Sequence, residues 1–166
     1  MRPGGWIEIQ EFAGHIRSDD DSLRGSELVR FWDKTSEALE LIGFQYRIAE
    51  SEMGRLLARA GYTNITVRSI KVPIGTWPRV CPAFYVGRLT LTLCGLQNKT
   101  LRLCGMYMRA NISNYTLAIA TKPLRKLGLS LEEAQTFAAR AVEDMDRPGA
   151  HPYLEFQFWL GQKPVG

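Results

Sequence analysis

Met1-Arg2-Pro3-Gly4-Gly5-Trp6-Ile7-Glu8-Ile9-Gln10-Glu11-Phe12 opens the chain. A Pro-Gly-Gly turn leads into residues that alternate in character, and a period of two predicts a strand. Trp6, Glu8, Gln10 and Phe12 then share one face, with Ile7, Ile9 and Glu11 on the other. A strand buried in a sheet needs a neighbour on each side, and nothing ahead of this one supplies it. The chain is therefore expected to enter its fold part-way through.

Downstream, Ala13 to Gly25 is polar and reads as a loop centred on Asp19-Asp20-Asp21. Adjacent carboxylates rarely converge on one ion, so a solvated loop is expected and no metal site. From Ser26 the period becomes helical through Leu28, Phe31, Trp32, Thr35, Leu39 and Ile42, with Gly43 as the stop. A shorter helix from Ser51 to Ala60 buries Met53, Leu56 and Leu57, and Gly61 suits its C-terminal cap. A strand from Tyr62 to Pro73 follows. Its apolar phase shifts from Ile65 and Val67 to Ile70 and Val72, which predicts a bulge.

Leu89-Thr90-Leu91-Thr92-Leu93 alternates strictly, as a strand would. A helical period returns from Leu101 through Cys104, Met108, Ile112, Tyr115 and Ile119, and Pro123 closes it. Ser130 with Glu133 forms a capping box ahead of Leu131, Ala134, Phe137, Ala138, Ala141, Val142 and Met145. After a Pro- and Gly-rich turn, Tyr153 to Leu160 reads as the last strand. Leu154, Phe156, Phe158 and Leu160 line one face, and Tyr153 with Trp159 makes the other partly apolar, so this strand belongs inside the sheet.

The composition narrows the classes. With 166 residues and 45% hydrophobic content, one globular domain is expected. A net charge of +4 with scattered basic residues, clustered only at Lys122, Arg125 and Lys126, does not make a nucleic-acid footprint. No apolar run approaches the ~20 residues of a membrane span, and no signal peptide is visible, so no membrane partner and a cytoplasmic or nuclear location are expected. Cys81, Cys94 and Cys104 are odd in number and lack metal-like pairing, which argues against a disulfide framework or zinc site.

Several stretches, taken in order, resemble one family. They are Arg2-Pro3-Gly4-Gly5-Trp6-Ile7-Glu8, Ala60-Gly61-Tyr62, Val72-Pro73-Ile74-Gly75-Thr76-Trp77-Pro78, Gly128-Leu129-Ser130-Leu131-Glu132-Glu133 and Gly161-Gln162-Lys163-Pro164. Together they look like the C-terminal half of a class I S-adenosylmethionine-dependent methyltransferase, in the fungal group that includes regulators of secondary metabolism. The resemblance implies an α/β, Rossmann-like fold with sheet order 3-2-1-4-5-7-6, of which this chain would supply strands 5, 6 and 7, strand 7 antiparallel. It also implies an inserted helical subdomain over residues 98–146. No G-x-G-x-x-G or related glycine loop occurs, so the cofactor-binding half is expected to be missing, with no cofactor-binding residue here and no S-adenosylmethionine bound by this chain alone.

Residues 80–97 depart from the family pattern, since removing them joins the Trp-Pro motif directly to the helix beginning at Asn98. The segment keeps reading frame. Val80-Cys81 is compatible with a GTNTGY donor, Leu91-Thr92 with a CTNAC branch site and Gln97 with a CAG acceptor. A retained intron and a hairpin insertion both explain it.

No pairing of His with a Ser or Cys nucleophile is evident, so no catalytic residue is assigned. His151 reads as a turn residue. Glu11 and Phe12 are placed at a strand's carboxyl end, where ligands gather in open α/β sheets; anchoring the loop is the alternative. By resemblance Trp77, Tyr107 and Asn111 are candidates for lining a methyl-acceptor pocket, against ordinary core packing. The function implied is methyl transfer to a small-molecule or protein acceptor, with activity not expected of this chain alone. The alternative is a non-catalytic module that self-associates or pairs with a protein partner through its exposed edge strand.

Overall fold

The first strand runs further than Phe12. In the computed structural model, which describes residues 1–77, 94–119 and 122–165, β1 spans Trp6–Arg17. The loop expected from Ala13 is strand as far as Arg17, and Glu11 and Phe12 lie within it rather than at its end. Pairing shifts between Phe12 and Ile16, and Gly14 inside that bulge has φ +71°. Glycine enters this region at little cost, so the alternation resets there and Ile16 turns inward opposite Leu154.

Helix α1 (Glu27–Leu41) is capped by Ser26, whose Oγ accepts from the Val29 N–H at 3.3 Å. Leu28, Phe31, Trp32, Thr35 and Leu39 are buried as their spacing predicts, whereas Ile42 lies beyond the last turn and is exposed. Helix α2 (Glu50–Arg59) packs against two strands but buries only Leu57 of its three expected residues; Met53 is half-buried and Leu56 exposed. A short helix lying on a sheet with one line of contact hides one ridge.

Strand β2 (Thr63–Pro73) is irregular only between Thr63 and Thr66, where Asn64 has φ 49°. From Thr66 onward pairing is continuous, so no bulge separates Val67 from Ile70. Val67 stands opposite Trp159 and Ile70 opposite Phe156, so the phase shift distributes apolar residues to both faces. Strand β3 (Tyr153–Gln162) lies between the others in the order β1-β3-β2, antiparallel to both, as its two apolar faces predict. Three strands with helices make the architecture α/β.

Helix α3 (Cys94–Ile119) starts before the expected Leu101; residues 80–93, with the Leu89–Leu93 alternation, lie outside the described residues. Met108, Ile112, Tyr115 and Ile119 join the core, but Cys104 is exposed with a free thiol. Pro123 opens the short helix α4 (Pro123–Lys126), at a position where its missing N–H costs nothing. Helix α5 (Leu131–Asp144) has both halves of the Ser130–Glu133 capping box, and Ala134, Ala138 and Ala141 let it approach α1 closely. Leu131, in its exposed first turn, stays outside that contact.

The core joins one sheet face, through Ile16 and Leu154, to α1, α3, α4 and α5. On the reverse face, Trp159 is 1% exposed.

Candidate functional site

The register that sets Phe12 opposite Phe156 makes an aromatic floor on one sheet face, with Leu154 beside it. Trp32 from α1 and Tyr46 from the segment after it stand over this floor. Met108, Asn111, Ile112 and Tyr115 complete the wall, because residues three and four apart on α3 share one side of the helix. Together they enclose a cavity of about 250 Å³. Ring centroids lie 5.5 Å apart for Phe12–Tyr46, 6.0 Å for Trp32–Tyr46 and 5.4 Å for Trp32–Tyr115, all tilted or edge-on.

Gly14 holds this wall in place from behind. The Trp32 indole N–H donates to the Gly14 carbonyl at 3.0 Å, and the Arg47 Nε donates to the same oxygen at 3.3 Å. A Cβ on Gly14 would lie 2.7 Å from the Tyr46 carbonyl oxygen, so only glycine permits the 46–47 backbone to approach β1 here.

Among the described residues, no charged side chain lines the cavity. The Tyr115 hydroxyl donates to the Tyr46 hydroxyl at 2.9 Å. Burial pushes the Tyr46 phenol far above its ordinary range; the nearby Glu11 charge adds to this, and Arg47 opposes. Burial likewise raises the Tyr115 phenol. Both stay protonated at any physiological pH, a state suited to hydrogen bonding and not to proton abstraction. A second cavity of about 410 Å³ adjoins the first, sharing Met108, Asn111 and Phe156 and extending past Tyr107, Ile70 and Phe158.

The residues singled out in the sequence divide between places. Phe12 and Asn111 meet in the aromatic cavity, and Tyr107, 66% exposed one turn earlier on α3, lines the adjoining one. Its exposure is incompatible with core packing. Glu11 is exposed and accepts from the Phe12 N–H at 3.0 Å; its charge is felt at Tyr46, yet it does not line the cavity. Trp77 belongs to a separate cavity of about 270 Å³, donating to the Pro152 carbonyl at 2.8 Å with its ring 5.1 Å from that of His151.

His151 holds a turn. Its N–H donates to Ser22 Oγ at 3.0 Å, and its Nδ1 lies 2.7 Å from an Asp20 carboxylate oxygen. The acidic run is more tied down than a solvated loop: Asp19 accepts from Lys71 at 2.6 Å and from the Tyr153 hydroxyl at 2.9 Å. Among the described residues no group of three or more His, Cys, Asp or Glu is placed to hold a metal. Trp32 and Tyr115 were legible only as core spacing. Tyr46, in an irregular stretch without periodicity, gave no signal beyond its aromatic ring.

The chain is 28% identical to the methyltransferase pytC of Aspergillus terreus over 99% of its own length and 45% of the relative's. It is similar to fungal methyltransferases along its whole length. The probable methyltransferase tdiE of Emericella nidulans is 24% identical over 99% of this chain and 47% of its own. The secondary metabolism regulator laeA of Fusarium oxysporum is 23% identical, with the same coverages. These matches bear out the resemblance read from the motifs, and the chain spans about half the length of the curated relatives it matches. No family model and no solved structure matches it. Among the described residues no helix is long and apolar enough to cross a membrane.

Methyltransferase relatives imply S-adenosylmethionine as their cofactor. A nucleotide cofactor needs free N–H groups at a glycine turn opening a helix, and a carboxylate for its ribose. The junction from β1 through Gly25 into α1 does not provide them. The Leu28 N–H is held by Asp144 Oδ2 at 3.1 Å and the Val29 N–H by Ser26, while Asp19 and Asp20 are engaged by Lys71, Tyr153 and His151. The residues at this junction do not fit the cofactor.

Proposed function

We propose that this chain forms the acceptor-binding side of an S-adenosylmethionine-dependent methyltransferase of class I. In this reading β1, β3 and β2 correspond to strands 5, 7 and 6 of that fold, α3 to α5 form an inserted helical subdomain, and transfer requires a cofactor-binding half that these residues do not supply. The observation that carries it is the sheet order: β3 runs antiparallel between two mutually parallel strands, beneath a cavity walled by neutral aromatic groups. The whole-length match to fungal methyltransferases supports it.

The chain's own contribution is then positioning and water exclusion. Phe12, Trp32 and Phe156 hold an acceptor by contact, and the protonated phenols of Tyr46 and Tyr115 orient it. Isothermal titration of the 166-residue chain with S-adenosylmethionine is expected to show no binding, and micromolar affinity would overturn this reading.

The alternative, a non-catalytic module, draws on a different observation. Among the described strands β1 pairs on one side only, with β3, and Trp6 near its start is 54% exposed. A free edge of this kind takes a strand from another chain. Methyl transfer reconstituted by adding a cofactor-binding half would decide against this alternative.

A further inference from the structure

We infer that the aromatic cavity takes a neutral, planar ligand of about two fused rings that carries an oxygen hydrogen-bond acceptor. That this ligand is the methyl acceptor rests on the reading above; its binding does not. Size is the first argument. At about 250 Å³ the cavity lies near the lower limit of small-molecule sites, which run from roughly 300 Å³ upward. It suits a bicyclic ring system, and the adjoining cavity past Phe156 leaves room for a substituent.

Shape and charge give the second argument. Phe12, Trp32, Tyr46 and Phe156 present faces and edges tilted 50° to 72° against one another where they meet, a surface on which a flat ring packs. No described lining side chain is charged, so a carboxylate, sulfonate or phosphate entering this space would lose its water without gaining a counter-ion among the described residues. A cation would meet ring faces but no carboxylate among the lining residues.

The hydrogen-bond inventory adds the third. Two phenols joined by one hydrogen bond consume one of their two protons. The Tyr115 hydroxyl donates to Tyr46, and no acceptor for the proton of Tyr46 is found among the described residues. Burial keeps that proton on its oxygen. A ligand oxygen, carbonyl or phenolic, completes the pair, and the exposed Asn111 amide at the mouth offers a second polar contact.

The test titrates the whole chain with 2-naphthol, 2-naphthoate and a trimethylammonium naphthalene. With 5-fluorotryptophan incorporated, the resonance of Trp32 (identified by Trp32→Phe) is followed alongside those of Trp6, Trp77 and Trp159. The neutral probe is expected to bind about tenfold more tightly than either ion and to move the Trp32 resonance selectively. Tyr46→Phe is expected to weaken 2-naphthol about fivefold while leaving 2-methylnaphthalene unchanged. If Tyr46→Phe unfolds, Asn111→Arg at the exposed mouth serves instead and is expected to weaken both neutral probes. Equal or tighter binding of an ion, absence of saturable 2-naphthol binding, or shifts confined to the other tryptophans each overturn the inference. Should 2-naphthol bind as expected while the chain, supplied with a cofactor half, transfers no methyl group, the ligand class stands and the transferase reading falls. Failure of 2-naphthol to bind sinks the ligand class alone.

Discussion

A methyl group at position 14 would collide with the Tyr46 carbonyl and would have to adopt φ +71°. Gly14→Ala is therefore expected to cost about 2 kcal/mol or more in urea unfolding, combining left-handed strain with displacement of the 46–47 backbone. It should also loosen the wall that Trp32 and Tyr46 form, weakening aromatic ligands in the same variant. The next residue is a titration probe. Burial lowers the pKa of His15, the Arg47 and Arg17 charges lower it further, and Asp33 opposes them. Its folded value thus lies below the ~6.5 of the unfolded chain, so the unfolded state binds the proton more readily. Stability from the neutral imidazole is present above pH 6.5 and is lost as pH falls through that value toward the folded one. Urea midpoints at pH 7.5 and 5.5 are expected to differ less in His15→Gln than in the wild-type chain; an undiminished difference would assign the effect elsewhere.

At the scale of elements, α1 and α5 are joined by a cap that crosses between them. The Ser26 hydroxyl donates to Asp144 Oδ2 at 2.5 Å, and the same oxygen accepts the Leu28 N–H. Ser26→Ala is expected to cost about 1 kcal/mol, as loss of an N-cap does. Asp144→Ala should cost about 2 kcal/mol, since it leaves two part-buried donors without their acceptor. A double-mutant cycle in thermal unfolding tests the connection: strict additivity of the two changes would show that they act separately. A second junction is made by backbone alone. The Gly75 N–H donates to the Gly105 carbonyl at 2.9 Å, and a Cβ on Gly105 would lie 2.0 Å from the Gly75 oxygen. Gly105→Ala is expected to push α3 off the end of β2 and open the cavity that α3 walls, seen as lowered stability together with raised hydrogen exchange along α3.

For the molecule as a whole, the feature to test in solution is the outer edge of β1. Glu8 and Gln10 beside exposed Trp6 flank backbone groups with no described partner strand. The isolated chain is expected to self-associate with rising concentration in sedimentation velocity, and Trp6→Lys to reduce this, because an edge lysine opposes strand pairing. A monodisperse monomer with cooperative unfolding would count against an open edge.

Much of the fold follows from local pattern. Alternation in Tyr153 to Leu160 with apolar residues on both faces identified the central strand, and the spacing from Leu28 to Leu39 identified the buried face of α1, because burial selects a period of two or 3.6 before any contact is specified. Ser130 and Glu133 marked a helix start by chemistry that is complete within four residues. The extension of β1 beyond Phe12 was not legible, since a glycine bulge interrupts the very period by which a strand is read. The cavity was legible only in part. Phe12 and Asn111 stood out singly, but Tyr46 lies in an aperiodic segment, and its partnership with Tyr115, 69 residues away, exists only because α1 and α3 cross the same sheet face. Periodicity determines which side of an element faces inward. Which inward sides meet, and whether they leave a space between them, is decided by packing among residues far apart in the chain.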